Sequence, residues 1–305
     1  MKLLLLLFAL TRFDAGDPRD VAPRLRGPLL VLAGGGGDIA DAMQAAIDAA
    51  RGCTSCATKL DVVVLRASGA DGYNEWFMKL RGVDSIATFV ITDRESAGRD
   101  DVVARVRNAE VVFFAGGDQC NYIRWIKGTR TTDAVKEVHR RGGVIGGTSA
   151  GLAIQSEVAY DACPSQSAKS AEVLRDPFHA DVSLSRGFFD WTVMRGTITD
   201  THFMQRERLG RLLVFLARGE MQLGIGVSEA TAVVVDRRGK AKVYGKGPVH
   251  LVRADGAAEA LEPGKPLTFR GLRMWEIPAG GTFDLRRWPR KGGQRLDVIE
   301  GEIRR

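Results

Sequence analysis

Between residues 28 and 115, four short apolar runs alternate with helix-prone stretches. The runs are 28–33 (PLLVLA), 60–65 (LDVVVL), 86–92 and 110–115 (EVVFFA). Between them lie an Ala-rich amphipathic segment at 38–51, a helical piece around 75–80 and another at 99–108. Strands that read as continuous Val, Ile, Leu and Phe are buried on both faces, and intervening helices supply the crossovers of a parallel sheet. The expected class is α/β, with a largely parallel central sheet between two helical layers. From Gly224 the pattern changes to short strands with Gly-rich turns (TAVVVDRRGKAKVYGKGPVHLV), expected as an antiparallel β extension of the same domain.

A chain of 305 residues can bury one large core of this kind. No apolar run approaches the ~20 residues of a membrane span, so no membrane partner is expected. The net charge of +7 invites a nucleic-acid reading, and its location answers it. Residues 285–305 hold seven Arg/Lys against three Asp/Glu, which reads as a solvated end. No nucleic-acid recognition motif accompanies the charge, and no nucleic-acid partner is expected.

Residues 1–26 are read as a leader or signal segment, 27–285 as a single α/β domain and 286–305 as a basic tail. The leader reading rests on one lysine followed by an apolar core at 3–10, and it favours a secreted or periplasmic protein over a cytoplasmic one. A misassigned start or a first buried strand are the competing readings. Cys53 and Cys56 form a CxxC without the second CxxC that a zinc site needs; a local disulfide and two free thiols both remain open. The redox state of Cys120 and Cys163 is open too. With no Cys/His cluster to hold a metal, neither metal nor cofactor is expected.

In doubly wound sheets functional groups collect at the carboxyl ends of the strands. Three loops sit there: residues 34–37, 116–119 and the turn around Ser149. The first, LAGGGGDIADA, partly meets the dinucleotide fingerprint through Gly35, Gly37 and Ala40. That reading needs an acidic group at the end of the second strand, where Arg66 stands; Asp61 is at the wrong end. The Ser149 turn, GGTSAG, fits a nucleophile elbow between strand and helix: its neighbours are small because the turn is tight, and the serine is pushed clear of the sheet.

A serine nucleophile needs a base, and four histidines are available. His139 (KEVHRRGG) reads as a solvated helix end, His179 as part of a polar irregular region, and His250 as a strand residue. His202 in TITDTHFMQRERLGRLL follows a β-prone run and opens an amphipathic helix, a carboxyl-edge position like that of Ser149. Glu229 in LGIGVSEATAVVV, between two apolar strands, is the carboxylate chosen to hold the imidazole; a plain hairpin-turn residue is the competing reading.

GGTSAG, the preceding FFAGGDQ, DTHFMQRERLGRLL and GIGVSEATA together resemble the cyanophycinases, serine peptidases of family S51, which includes peptidase E. The resemblance implies a three-layer sandwich like that of the class I glutamine amidotransferases (flavodoxin-like). It also implies an exopeptidase that releases β-Asp-Arg from cyanophycin through an acyl-enzyme. The family triad carries over as Ser149, His202 and Glu229, with backbone N–H groups of Ala150 and of Gly117 or Asp118 around the oxyanion. Gln119, Asp200, Thr201, Arg206, Arg208 and Arg211 are implied to line the substrate pocket. The implied partner is a β-linked aspartyl-arginine polymer or dipeptide, and a homodimer is compatible with it. Two features depart from the pattern: Thr201 stands where many relatives have glutamine, and the segment between Ser149 and His202 is longer. The alternatives are a dipeptidase for α- or iso-aspartyl peptides, a nucleotide-binding oxidoreductase using residues 34–37, and a pseudo-enzyme binding module.

Overall fold

The computed structural model describes residues 10–164 and 167–305. The apolar run read as the core of a leader therefore lies, up to residue 9, outside the described residues. The chain forms a mixed α/β structure with two sheets, where the sequence suggested one sheet with an extension.

The first sheet has nine strands in the order Thr11–Gly16, Val83–Val90, Leu60–Arg66, Val111–Phe114, Val144–Thr148, Leu29–Ala33, Thr231–Asp236, Lys240–Gly245 and Thr282–Asp284. Its five central strands, from Val83–Val90 to Leu29–Ala33, are mutually parallel, and antiparallel strands close both edges. These are the apolar runs of the sequence, and side chains at alternate positions feed two separate cores. Leu29, Val31, Val62, Val64 and Phe113 face the helix Ala40–Arg51, while Leu30, Leu32, Val63, Leu65 and Phe114 face the opposite side. Helices Asp100–Asn108 and Arg130–Arg140 pack on that opposite side, next to residues of the second sheet such as Ile225, Val227 and Leu251.

The second sheet has eight strands, ordered Glu302–Arg304, Gln294–Ile299, Phe269–Ile277, Val249–Ala254, Leu223–Val227, Thr197–Asp200, Val158–Tyr160 and Leu184–Arg186. Leu223–Val227 runs parallel to Thr197–Asp200 and antiparallel to Val249–Ala254. Helix Leu209–Gly219, apolar nearly all round, is buried against the outer face of this sheet.

Two terminal segments differ from expectation. Thr11–Gly16, inside the stretch read as a leader, pairs antiparallel with Val83–Val90. Residues 286–305, read as a solvated tail, contain two strands, and Leu296 and Val298 are buried in the second core. Apolar residues at alternate positions among the charges, easily overlooked in a basic stretch, provide the anchor. Both cysteine pairs are disulfides, Cys53–Cys56 and Cys120–Cys163. Among the described residues no helix is long and apolar enough to cross a membrane.

Candidate active site

The candidate site lies where the carboxyl ends of strands from both sheets meet. Val111–Phe114, Val144–Thr148 and Leu29–Ala33 are neighbours in the first sheet and lead into Gly116–Gln119, Ser149 and Gly34–Gly37. Thr197–Asp200 and Leu223–Val227 are neighbours in the second and lead into His202 and Glu229. Backbone hydrogen bonds stitch these ends together: Ser149 N–H to Ala33 O at 3.0 Å, His202 N–H to Gly34 O at 2.8 Å, and Ala230 N–H to Gly35 O at 2.8 Å.

Ser149 has φ 51° and ψ −111°, a left-handed conformation that a non-glycine residue holds only when its surroundings force it. The force is crowding. A Cβ on Gly147 would run into the Gly151 carbonyl, and one on Gly151 into that of Phe114. The resulting turn presents Ser149 Oγ to His202 Nε2 at 2.7 Å. His202 Nδ1 lies 2.6 Å from Glu229 Oε1. Glu229 is held in turn by its own N–H, donated to Gln205 Oε1 at 2.8 Å. Burial pushes the His202 pKa below the ordinary histidine value, and the hydrogen bond to Glu229 pulls it back up. The imidazole is thus neutral near pH 7, with Nε2 free to take a proton when Glu229 holds a hydrogen on Nδ1.

Gly116 borders the serine: a Cβ there would sit 3.6 Å from Ser149 Cβ. Gly117, at φ 143°, and Asp118 are exposed beside it, and Ala150 opens the short helix after Ser149, so its N–H has no intrahelical partner. The Asp118 carboxylate accepts from Cys120 N–H at 2.8 Å and caps the next helix. Gln119 is half-buried, with Nε2 donating to Tyr160 O at 3.4 Å.

The other residues expected to line a pocket separate into two groups. Arg206 is exposed, with Nε 3.9 Å from Glu229 Oε1, and belongs to the site's rim. Asp200, Thr201, Arg208 and Arg211 are buried behind His202. Arg211 grips Asp200 with two hydrogen bonds, Nε to Oδ2 at 2.7 Å and Nη2 to Oδ1 at 2.5 Å, and its Nη1 donates to Ser167 Oγ at 2.9 Å. Its guanidinium also lies over the Tyr160 ring, 4.9 Å from the centroid. Arg208 donates to the carbonyl and hydroxyl oxygens of Thr201, and burial lowers its pKa to about 10. Arg208 and Arg211 thus tie the start of helix Leu209–Gly219 to Thr201 and Asp200, which lead into His202.

The remaining histidines are placed elsewhere. His139 is half-buried against Trp191, with ring centroids 4.4 Å apart and its pKa pushed down to about 4 by burial; the solvated reading is corrected. His250 is buried with Nε2 3.3 Å from Glu276 Oε2. Glu172, His179 and Asp181 form the one group of potential metal ligands among the described residues. Asp181 N–H already donates to His179 Nδ1 at 3.2 Å, which occupies that nitrogen's lone pair and places the ring hydrogen of the neutral imidazole on Nε2.

Two contributors escaped the sequence reading. Gly35 and Gly36 let the loop press against His202 and Glu229, and Gln205 holds Glu229. Gln205 was readable only as a neighbour of His202 in HFMQRE; nothing local links it to residue 229.

A cyanophycinase of Synechococcus elongatus is 26% identical over 219 residues, which cover 70% of this chain and 64% of that protein. One from Nostoc sp. is 29% identical over 209 residues, covering 67% of this chain and 66% of that protein. The chain thus spans just under two thirds of the length of these curated relatives. A solved peptidase from an acI-B1 Actinobacterium has the same fold, with a TM-score of 0.58 at 18% identity, covering 86% of this chain and 98% of that one. The profile of Peptidase family S51 matches residues 75–243, more than half of the sequence, and the chain belongs to that family.

Proposed function

We propose that this protein is a serine-type exopeptidase that hydrolyses cyanophycin, or a closely related β-linked aspartyl polymer, to β-Asp-Arg dipeptides. The observation that carries the reading is the unbroken chain Ser149 Oγ–His202 Nε2–Glu229 Oε1, with separations of 2.7 and 2.6 Å. The cyanophycinases among the relatives supply the substrate class. In this reading Ser149 Oγ attacks the scissile carbonyl while its proton passes to His202 Nε2. Glu229 stabilises the imidazolium, and the N–H groups of Ala150 and of Gly117 or Asp118 receive the oxyanion. The leaving amine takes the proton from His202, and water, activated by the same nitrogen, releases the acyl group. Gln119 and Arg206 are the residues proposed to meet substrate directly. The fold is read as class I glutamine amidotransferase-like, and two disulfides support an oxidising compartment.

The Gly34–Gly37 loop favours the peptidase over a dinucleotide enzyme, because its backbone is packed against His202 and Glu229 where a pyrophosphate would have to approach. The test is release of β-Asp-Arg from purified cyanophycin by wild type and by Ser149→Ala. Release by wild type with near-total loss in the variant supports both substrate and nucleophile. No release by folded wild type removes cyanophycin, and hydrolysis of α- or iso-aspartyl dipeptides instead would favour the second reading.

A further inference from the structure

Arg66 ends the strand Leu60–Arg66, where a dinucleotide enzyme would carry an acidic group, and the triad chemistry leaves it without a task. Its guanidinium is held in place without a counter-charge. Nε donates to Ser68 O at 2.5 Å, Nη1 donates to Ala70 O, and among the described residues no carboxylate pairs with it. The group lies over the Tyr73 ring, 5.9 Å from the centroid. Tyr73 O–H donates to Asp38 Oδ2 at 2.9 Å, while Asp38 Oδ1 is buried with no partner among the described residues. Burial raises the Asp38 pKa, and the Tyr73 hydrogen bond pulls it back down. An unpaired buried carboxylate oxygen costs stability, so the support of Tyr73 calls for an explanation. A half-buried arginine backed only by carbonyl groups and a ring keeps its attraction for an anion, and a carboxylate matches its fork.

The register of the first sheet puts this arginine beside the triad. Leu65 pairs with Phe114, and Phe114 with Gly147, so Arg66 stands level with Ala115 and Thr148, the residue before Ser149. Two strand spacings, roughly 10 Å at ~4.8 Å each, separate the Arg66 backbone from that of Thr148. The loop that Arg66 pins touches the turn proposed for the oxyanion: a Cβ on Gly117 would lie 3.9 Å from Ser68 Oγ. Across the sheet edge the order is therefore Arg66, Gly117, Ser149 and Gly35, with His202 packed on Gly35. The leaving amine of a scissile amide must face His202, which protonates it. The acyl part of the substrate then extends the opposite way, past Gly117 toward Arg66.

In a polymer whose aspartyl carboxyls are tied up in amides, along the backbone and to arginine, the free carboxylate of each interior unit is the arginine's own α-carboxylate. We infer that Arg66 binds the arginine α-carboxylate of the acyl unit and so selects chains that carry arginine. The identity of that carboxylate rests on the reading of the substrate as a β-linked aspartyl-arginine polymer. Tyr73, fixed by Asp38, holds the guanidinium at the height where the acyl unit passes.

The test compares kcat/KM on a two-unit substrate, β-Asp-Arg joined to β-Asp-Arg, with that on an analogue in which agmatine, arginine lacking its carboxyl group, replaces the arginine of the acyl unit. Wild type is expected to prefer the arginine substrate by roughly ten- to a hundredfold, the worth of one charge-assisted hydrogen-bonded pair. Arg66→Gln is expected to bring the ratio close to one. A variant that slows both substrates equally and keeps the wild-type ratio would show that Arg66 only pins its loop, and overturns the inference. Wild type without a preference overturns it too. Should Arg66→Gln fail to fold, the ratio is read on Arg66→Lys, which keeps the charge and loses the fork: a reduced preference supports the inference and an undiminished one sinks it. Calorimetric binding of both compounds to Ser149→Ala and to Ser149→Ala/Arg66→Gln separates this inference from the peptidase reading. Binding that depends on Arg66 and on the carboxylate, with no hydrolysis by wild type, leaves the Arg66 site standing and sinks the peptidase; hydrolysis with a ratio indifferent to Arg66 does the reverse.

Discussion

Gly35 lies against the imidazole of His202 so closely that a Cβ on it would come within 2.6 Å of Nε2, the nitrogen that faces Ser149. Its φ of +89° also disfavours any side chain. Gly35→Ala is therefore expected to displace the imidazole and lower kcat by roughly a hundredfold, the penalty for misplacing a catalytic group by about 1 Å. Steady-state kinetics alongside far-UV circular dichroism would check this. A folded Gly35→Ala with wild-type kcat would mean that His202 is not the base.

The acid limb of kcat/KM should have its midpoint below pH 6.5, because burial lowers the His202 pKa and the reactive form is the neutral one. Glu229→Gln deletes an interaction that raises that pKa, so the limb should move further down while kcat falls by roughly 10³–10⁴. A pH–rate profile of both proteins is the measurement; a wild-type limb above 6.5 would contradict the assignment. The stability effect has a definite sign. Unfolded histidines take up protons near pH 6.5, whereas His139 resists until about 4, so stability present above 6.5 is lost as the pH falls toward 4. Glu110 acts oppositely: burial raises its pKa from 4.5 to about 7, so its contribution weakens as pH rises across that window.

Arg211→Met should destabilise the protein by about 3–5 kcal/mol, since it leaves the buried Asp200 carboxylate without its two-pronged partner. Arg208, 3.7 Å from Asp200, is too far to replace those bonds. Urea denaturation reads the effect. Were Arg211 a substrate-gripping residue, KM would rise instead and stability would hardly move.

Cys120–Cys163 closes a loop across 43 positions, which by chain entropy is worth about 4 kcal/mol. The bond also ties Gln119 and the Gly116–Asp118 turn to the segment after Tyr160. Replacing both cysteines with serine should lower the melting temperature and raise KM more than it lowers kcat. Reduction of Cys53–Cys56, separated by 3 positions, should change stability far less.

The apolar runs at 28–33, 60–65, 86–92 and 110–115, which form the strands Leu29–Ala33, Leu60–Arg66, Val83–Val90 and Val111–Phe114, and the GGTSAG turn were legible in the sequence because strand burial and tight turns are written in neighbouring residues. The same holds for His202 and Glu229 as residues that follow apolar runs. Their assignment as base and carboxylate to Ser149 was reached by comparing the four histidines and the acidic positions, and the resemblance of four ordered motifs gave the same triad.

What only the tertiary structure decided is how distant pieces meet. Thr197–Asp200 and Leu223–Val227 become parallel neighbours in a second sheet, and this pairing places His202 beside Glu229. Strand pairing is non-local, so the sequence pattern suggested a simple extension of one sheet. The facing of charges has the same cause. The resemblance groups Arg206, Arg208 and Arg211 of QRERLGRLL together, yet Arg208 and Arg211 turn inward toward the buried Asp200, while Arg206 stays at the surface. Sequence alone thus determined which residues could be strands, turns and reactive groups; the fold determined which charges found partners inside and which stayed at the surface, because a charge goes inside only where an opposite one already waits.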